Sequence, residues 1–227
     1  MTQALPRLAI FDLDHTLLQG DTDTLWCDYL LQRRLLPAHF AQDNLRLQAQ
    51  YRSGAVSAQD FSAFYASTLA CFAPQDLLQL RADFTEQVIA PCIRPQAARV
   101  LEQHRQQGDV LVLSSATSLF LITLTAQRLG FEHLLGTTLE TTADGRFTGR
   151  TQGVLNMREG KVIRLRAWLQ TQGWPDVPAL WQQACFYSDS INDLPLLQAV
   201  GHPVAVTPDP VIRQTAMDHH WPILSLS

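Results

Sequence analysis

Four short apolar runs, each followed by a polar loop and a helical pattern, constrain the fold of this chain most strongly. The runs are LAIF (8–11), VLVL (110–113), ACFY (184–187) and PVAV (203–206). Because their apolar residues are continuous rather than alternating, they predict strands buried on both faces, as in a parallel sheet. Helical patterns occupy residues 95–107, 118–129, 159–172, 192–199 and 209–216. This alternation predicts an α/β fold with a doubly wound parallel sheet.

The stretch from residue 19 to residue 93 interrupts this alternation. It contains no convincing strand, and its apolar residues recur at helical spacing, as in LWCDYL (25–30) and FSAFYAST (61–68). Long loops without regular structure are uncommon in compact domains, so we predict a small helical insert directly after the first strand. In TTADGRFTGR (141–150), Asp144 and Gly145 lie between polar and apolar flanks and predict a β-hairpin.

Composition argues against several classes of partner and location. Of the 227 residues, 46% are hydrophobic and 17% are charged, which is typical of a globular protein. The formal net charge of −4 gives no basic surface for nucleic acid. We see neither a signal peptide nor a run approaching the about 18 apolar residues of a membrane helix. The four cysteines have no CxxC spacing, so we expect reduced thiols in a cytoplasmic protein. We expect the protein to be a monomer or a homodimer.

Polar side chains of complementary kinds follow three of the predicted strands. Asp12 and Asp14 come directly after the first, SSAT (114–117) ends the second, and SDSIND (188–193) ends the third. Lys161 opens the helix between the second and third of these groups. Because the carboxyl ends of parallel strands meet at one edge of the sheet, we expect these side chains to converge there. Carboxylates at that density need a cation, and a hard divalent ion with oxygen ligands, Mg²⁺, fits best.

The same residues resemble the four motifs of the haloacid dehalogenase superfamily, on its aspartate-based phosphatase branch. DLDHTLL (12–18) is similar to the first motif, DxDxT, and LSSAT (113–117) is similar to the second, a serine or threonine after an apolar strand. Lys161 resembles the third motif, and YSDSINDLPLL (187–197) resembles the fourth. The insert resembles the small helical cap of the phosphoserine-phosphatase-like subgroup (subfamily IB type). The resemblance covers nearly the whole chain and implies a Rossmann-like catalytic core (1–18 and 94–227) with a helical cap (19–93).

The resemblance implies a catalytic role for the acidic residues and for the lysine. Asp12 would be the nucleophile that forms an aspartyl-phosphate, and Asp14 would protonate the leaving alkoxide and later take a proton from water. Mg²⁺ would be held by Asp12, the Asp14 carbonyl and Asp189. Lys161 would offset the charge growing on the equatorial phosphate oxygens. Because a halide leaving group needs no proton, the acid at Asp14 indicates phosphate esters rather than haloacids.

Phosphate binding is implied for residues that follow the second and third strands. Ser115 and the amides after it, beginning with Ala116, would hold a phosphate oxygen, with the neighbouring Ser114 as the second candidate. Asn192 and Asp193 would support them, one near the phosphate and the other orienting Lys161 or a metal-bound water.

Two other interpretations of the acidic residues fit less well. An EF-hand beginning at Asp12 would need glycine at its sixth position and glutamate at its twelfth, where this chain has Leu17 and Asp23. A receiver domain would be much shorter and would carry its phosphoacceptor on a middle strand of the chain. Neither class accounts for the order of all four motifs.

The substrate is expected to be a small phosphorylated metabolite that the insert selects. Asp21 is either a helix N-cap or the carboxylate that, in phosphoserine phosphatases, faces the substrate amine. GAVSAQDFSAFYAST (54–68) offers Phe61, Phe64 and Tyr65 but none of the arginines expected to bind the serine carboxylate. An amine-bearing phosphate without a carboxylate, such as histidinol phosphate, therefore fits better than phosphoserine. The same motifs are also compatible with a phosphotransferase or mutase and with a catalytically silent phosphate-binding module.

Overall fold

A parallel sheet of six strands forms the centre of the protein in the computed structural model, which describes residues 5–226. The strands of the chain are β1 (Leu8–Phe11), β2 (Val110–Ser118), β3 (His133–Thr137), β4 (Leu139–Thr141), β5 (Phe147–Thr151), β6 (Cys185–Ser188), β7 (His202–Val206) and β8 (Ile223–Leu224). The large sheet has the order β3-β2-β1-β6-β7-β8, and its neighbouring strands are parallel. β4 and β5 form a separate antiparallel hairpin.

β1 lies in the middle of the large sheet, where both of its edges are paired. Its apolar residues suit this buried position. Ile10 pairs with Val112 of β2 on one side and with Phe186 of β6 on the other. Successive side chains of a strand point to opposite faces. Accordingly, Ile10 belongs to one apolar cluster and Phe11 to another. The continuous apolar run is therefore buried on both faces of the sheet, as predicted.

Helices fill the connections between the strands and cover the sheet. They are α1 (Thr22–Gln32), α2 (His39–Arg52), α3 (Ala58–Ala70), α4 (Pro74–Phe84), α5 (Ala90–Cys92), α6 (Ala97–Gln106), α7 (Leu119–Arg128), α8 (Glu159–Thr171), α9 (Pro178–Gln183), α10 (Leu194–Ala199) and α11 (Pro210–Asp218). The doubly wound, Rossmann-like α/β fold is thus confirmed. In the part of the chain from residue 5 to residue 226, no helix is both long enough and apolar enough to cross a membrane.

The helices α1 to α5 lie between β1 and α6 in the chain, and we call residues 19–93 the helical insert. The two connections of the helical insert run side by side, because Leu18 and Ile93 form an antiparallel bridge. Its apolar interior is continuous with that of the sheet, since Trp26 belongs to the same buried cluster as Phe11. The helical insert and the sheet therefore share one hydrophobic core.

The hairpin predicted around Asp144 and Gly145 is confirmed as β4 and β5, and it packs against α3 of the helical insert. Gly149 in β5 has a φ of +80°, and a Cβ at this position would lie 3.3 Å from the Cα of Ser67. Glycine is needed there because both the backbone conformation and the close approach to α3 disfavour a side chain. The hairpin joins the helical insert to the rest of the molecule at a second place.

Strands β3 and β8 and helix α9 were not predicted. β3 contains His133 and Gly136 among only five residues, so it lacks the continuous apolar run that identified the central strands. β8 has two residues and lies at the edge of the sheet, where pairing rather than composition defines the strand. α9 has six residues, which is less than two turns and too short to show a helical period.

Candidate active site

A cavity of about 780 Å³ lies between the carboxyl ends of β1, β2 and β6 and the helical insert. The predicted site residues that line it are Asp12, Asp14, Asp21, Ala116, Lys161, Asp189, Asn192 and Asp193. Ser115 does not line it, because this residue is completely buried next to Ala116. Residues from distant parts of the sequence thus meet where the strands of a doubly wound sheet end.

Lys161 is the only lysine in the sequence, and it is buried between two carboxylates. Its Nζ donates to Asp12 Oδ1 and to Asp193 Oδ2, each at 2.7 Å. Burial lowers the pKa of Lys161, but the charges of Asp12 and Asp193 outweigh this effect and hold the pKa above its usual value. The side chain is therefore a fixed positive charge at the edge of the sheet.

The turn before α8 brings Lys161 to this position. Arg158 has a φ of +53°, and α8 begins at Glu159. A Cβ on Gly160 would lie 1.9 Å from the carbonyl oxygen of Leu155, so only glycine fits. The close approach of these two backbone segments places the first turn of α8 beside the cavity.

The carboxylates around Lys161 hold more negative charge than one ammonium group can offset. Burial raises the pKa of Asp12 well above its usual value, Lys161 opposes this, and the neighbouring carboxylates add to it. Burial likewise raises the pKa of Asp189 to about 6, against a hydrogen bond from Thr16 Oγ1 at 2.8 Å. A bound cation would relieve this repulsion.

Asp14 is oriented by groups from the end of β2 and from the start of α1. Its Oδ1 accepts hydrogen bonds from the hydroxyl of Thr22 and, at 2.8 Å, from the backbone N of the same residue. Its Oδ2 accepts from Thr117 Oγ1 at 2.8 Å and from Ser115 Oγ at 3.3 Å. Burial, followed by the charge of Asp21, raises the pKa of Asp14 above its usual value, and the Thr22 and Thr117 hydrogen bonds lower it in part. A carboxyl group with a raised pKa is suited to donate a proton.

The end of β2 presents Ala116 and Thr117 to the cavity. The hydroxyl of Ser115 is directed to Asp14, and it also accepts a hydrogen bond from Thr117 N at 3.1 Å. The hydroxyl of Ser114 instead accepts from Asn156 Nδ2 at 3.1 Å. Of the two candidate serines, Ser115, which the sequence favoured, contacts the predicted acid, whereas Ser114 does not.

Asn156 is a buried polar residue that sequence reasoning did not identify. Its Nδ2 donates to the carbonyl oxygens of Ser115 at 2.9 Å and Leu135 at 3.0 Å, and none of its surface is exposed. These hydrogen bonds hold the ends of β2 and β3 in fixed positions behind the cavity. A single asparagine in a loop has no periodic signal, so only its place shortly before Lys161 could have drawn attention to it.

The helical insert contributes an acidic wall to the cavity. Asp21 Oδ1 accepts from Thr24 N at 2.7 Å, so Asp21 is the N-cap of α1 and at the same time lines the cavity. Asp23, in the first turn of α1, also lines the cavity. Burial, followed by the charges of Asp21 and Asp14, raises the pKa of Asp23 well above its usual value. A positive charge placed against this wall would relieve the repulsion between these carboxylates.

Aromatic side chains of the helical insert lie beside this acidic wall. Phe61 and Tyr65 line the cavity together with Tyr51, whose ring stacks on that of Phe61 at a centroid distance of 4.3 Å. Phe64, the third predicted aromatic residue, does not line the cavity and stacks on Phe40 at a centroid distance of 4.7 Å. The rings at the cavity offer flat apolar surface to a substrate.

Comparisons with known proteins identify the family. A sequence model of the haloacid dehalogenase-like hydrolases matches residues 9–198. The chain belongs to this family. A histidinol-phosphatase of Neisseria meningitidis serogroup C (strain 8013) is 36% identical over 222 residues, which are 97% of this chain and 99% of that protein.

Two solved structures have a similar fold. A protein of unknown function from Bordetella pertussis Tohama I has a TM-score of 0.91 and 37% identity, and the match covers 99% of this chain and 100% of that one. A substrate-bound phosphoserine phosphatase has a TM-score of 0.68 and 14% identity over 93% of this chain and 91% of its own, which shows a shared fold. This haloacid dehalogenase-like hydrolase is a phosphatase.

Phosphatases of the haloacid dehalogenase-like family generally use Mg²⁺, and the donors of this site fit that ion. Asp12 and Asp189 offer carboxylate oxygens and Asp14 offers a carbonyl oxygen, which is the type of ligand that Mg²⁺ prefers. Within residues 5–226, no group of three or more His, Cys, Asp and Glu side chains is arranged as a metal site. The predicted set is smaller than such a group, because its third protein ligand is a backbone oxygen.

Proposed function

We propose that this haloacid dehalogenase-like phosphatase hydrolyses a small, amine-bearing phosphomonoester in a Mg²⁺-dependent reaction through an aspartyl-phosphate. The position of Asp12 carries the proposal: it lines the cavity, 2.7 Å from Lys161 Nζ, at the same sheet edge as Asp14. A module that only bound phosphate would need the positive charge but no second carboxyl group suited to donate a proton.

Asp12 and Asp14 divide the reaction between them. In the first step, an oxygen of Asp12 attacks phosphorus, the bond from phosphorus to the ester oxygen breaks, and Asp14 gives its proton to the departing oxygen. In the second step, water attacks the phosphorus of the aspartyl-phosphate, and the bond from phosphorus to the Asp12 oxygen breaks. The Asp14 carboxylate takes a proton from the attacking water. Phosphate then leaves and Asp12 is restored. Lys161 holds positive charge beside the transferring group in both steps.

Residues at the strand ends hold the phosphate group and the ion. The amides beginning at Ala116, supported by Ser115, bind one phosphate oxygen, and the amide group of Asn192 donates to another. Asp193 keeps Lys161 in place through its 2.7 Å hydrogen bond. Asp12, Asp189 and the carbonyl oxygen of Asp14 would hold Mg²⁺, which would supply positive charge to offset that of the nucleophile and the phosphate.

The wall formed by the helical insert supports an amine-bearing substrate, for which histidinol phosphate is our first choice. Asp21 would attract the ammonium group, and Phe61 and Tyr65 would pack against the ring. The family relative named a histidinol-phosphatase matches this chain over nearly the whole length of both proteins, which adds support. In this proposal residues 19–93 act as a cap that selects the substrate and excludes water during transfer.

Phosphoserine is the second candidate substrate because a positively charged side chain of the helical insert, that of Arg52, lines the cavity. Arg52 lies at the end of α2 and is exposed towards the cavity. A guanidinium group there could pair with a substrate carboxylate, although the segment 54–68 supplies no arginine.

We also expect the reaction to take place in the cytoplasm, which the four free cysteines support.

Phosphate release from a panel of phosphomonoesters in the presence of Mg²⁺ tests the proposal. The panel contains histidinol phosphate, phosphoserine, phosphorylated amino alcohols, sugar phosphates, nucleotides and p-nitrophenyl phosphate. We expect the amine-bearing class to have the highest kcat/KM. Absence of phosphate release from every compound would favour a silent binding module, and transfer of the phosphate to an acceptor other than water would favour a phosphotransferase or mutase.

A further inference from the structure

Arg158 lies at the turn before α8, outside the set of residues that line the cavity, and the proposed reaction does not use it. Its backbone has φ +53° and ψ −129°, a conformation that glycine adopts more readily than arginine. Its Nε donates to Asn192 Oδ1 at 3.2 Å. Its guanidinium carbon also lies 5.7 Å from the centre of the Tyr51 ring in the helical insert. The side chain is thus held against Asn192 from outside the cavity.

The contact with Arg158 determines which end of the Asn192 amide is occupied. The two ends of an asparagine amide have the same shape, but Oδ1 only accepts hydrogen bonds and Nδ2 only donates them. An arginine has no acceptor, so Asn192 must direct Oδ1 to Arg158. Nδ2 donates to no group within residues 5–226, and Asn192 lines the cavity. The donor end therefore remains available for a ligand that accepts.

We infer that Arg158 is a positioning residue that sets the polarity of the Asn192 amide for binding phosphate. The inference rests on the proposed function, in which Asn192 donates to a phosphate oxygen. Phosphate oxygens only accept, so an amide presenting Oδ1 would repel them. Without Arg158 both orientations of the amide become accessible, and phosphate binding weakens although no group in contact with phosphate has been removed.

The positive φ of Arg158 allows the side chain to be tested separately from the backbone. Arg158→Gly removes the guanidinium group and relieves the backbone conformation, so this variant should fold at least as stably as the wild type. Arg158→Met removes the donors and keeps most of the aliphatic chain. A purely structural role would predict that weaker function accompanies lower stability, whereas a positioning role predicts weaker phosphate binding with an unchanged or higher Tm.

Calorimetric titration of the full-length protein with inorganic phosphate in the presence of Mg²⁺ measures the effect. We expect Arg158→Met and Arg158→Gly each to raise the Kd for phosphate at least about twofold, because an amide that populates both orientations equally presents its donor to phosphate in only half of the molecules. The control is Arg166→Met, which removes an exposed arginine of α8 that pairs with Asp176 after the helix, and it should leave the Kd unchanged. An unchanged Kd in the two Arg158 variants overturns the inference.

Asn192→Ala shows whether Arg158 acts through Asn192. We expect Arg158→Met to have no further effect on the Kd for phosphate in the Asn192→Ala background. An effect of the same size in that background overturns the inference, and so does an unchanged Kd in Asn192→Ala alone. If the wild type still hydrolyses phosphomonoesters, the proposed function then stands. A wild type that hydrolyses no phosphomonoester refutes the proposed function, and the phosphate titrations still decide the role of Arg158.

Discussion

Lys161→Met removes an ammonium group on which two buried carboxylates depend. Asp12 is 7% exposed and Asp193 is 4% exposed, and each accepts a hydrogen bond of 2.7 Å from Lys161. Methionine fills a similar volume, so the loss is mainly one of charge. Removing one partner of a buried ion pair costs about 3–5 kcal/mol in the free energy of unfolding. At roughly 2–4 °C per kcal/mol for a chain of this size, we expect the Tm to fall by about 10 °C at neutral pH.

The destabilisation by Lys161→Met should depend on pH in a defined direction. Burial already raises the pKa of Asp12 above its ordinary value of 3.8, and Lys161 is the largest influence that lowers it. Without Lys161 this pKa rises further. When a carboxyl group has a higher pKa in the folded protein than in the unfolded one, the free energy of unfolding falls as the pH rises between those two values. The difference from the wild type should therefore be largest at neutral pH and should shrink as the pH falls towards about 4.

Denaturant titrations of both proteins at several pH values between about 4 and 8 measure this difference. The double variant Asp12→Asn/Lys161→Met serves as a control and should recover part of the lost stability, because asparagine leaves no charge unpaired at position 12. Turnover should fall by at least about 100-fold in Lys161→Met. A loss below about 1 kcal/mol at neutral pH, or a loss of equal size at every pH, would refute the electrostatic account.

Four further predictions concern the remaining groups of the site. Asp12→Asn should abolish phosphate release while the Tm without Mg²⁺ stays unchanged or rises slightly, because a charge that burial disfavours is removed and Lys161 keeps its ion pair with Asp193. Activity that persists after mass spectrometry has excluded deamidation would contradict this. Asp14→Asn should lower kcat for alkyl phosphates by about 10²–10⁴ and slow the first step with p-nitrophenyl phosphate much less, since nitrophenolate needs no proton; equal losses in rapid-quench experiments would contradict a role as the acid. Affinity for Mg²⁺, measured as the rise in Tm on adding the ion, should weaken as the pH falls below about 6, where Asp189 becomes protonated, and a constant affinity would count against Asp189 as a ligand. Asp21→Ala should depress kcat/KM for the amine-bearing class far more than for p-nitrophenyl phosphate, and equal losses would leave Asp21 with the role of a helix cap alone.

The convergence of Asp12, Asp14 and Asp189 could be predicted because topology determines it. Each follows a strand with a recognisable apolar run, and parallel strands that end at one edge bring such residues together whatever the details of packing. Lys161 could be predicted on the same basis with the help of the family resemblance. The contact of Lys161 with both Asp12 and Asp193 depends on the turn at Arg158 and on the close backbone approach at Gly160, which no pattern in the sequence specifies.

The residues that were missed act through contacts between segments far apart in the chain. Asn156 reaches two strand ends through one amide group, and Arg158 reaches Asn192 from a turn with a positive φ. Asp23 could be recognised as an acid near a helix start, but its exposure to the cavity depends on how α1 packs against its neighbours. Helix packing in the insert is set by side-chain fit, which a hydrophobic period indicates only as a buried face.

The presence of Lys161 as the only lysine makes the site accessible to magnetic resonance. Protein produced with isotopically labelled lysine carries one labelled side chain, and this side chain lies between Asp12 and Asp193. Its signal requires no assignment, and its burial slows exchange of the ammonium protons with water. Each event that changes the charge of Asp12, including the binding of an ion and the formation of an aspartyl-phosphate, can therefore be followed at a single resonance.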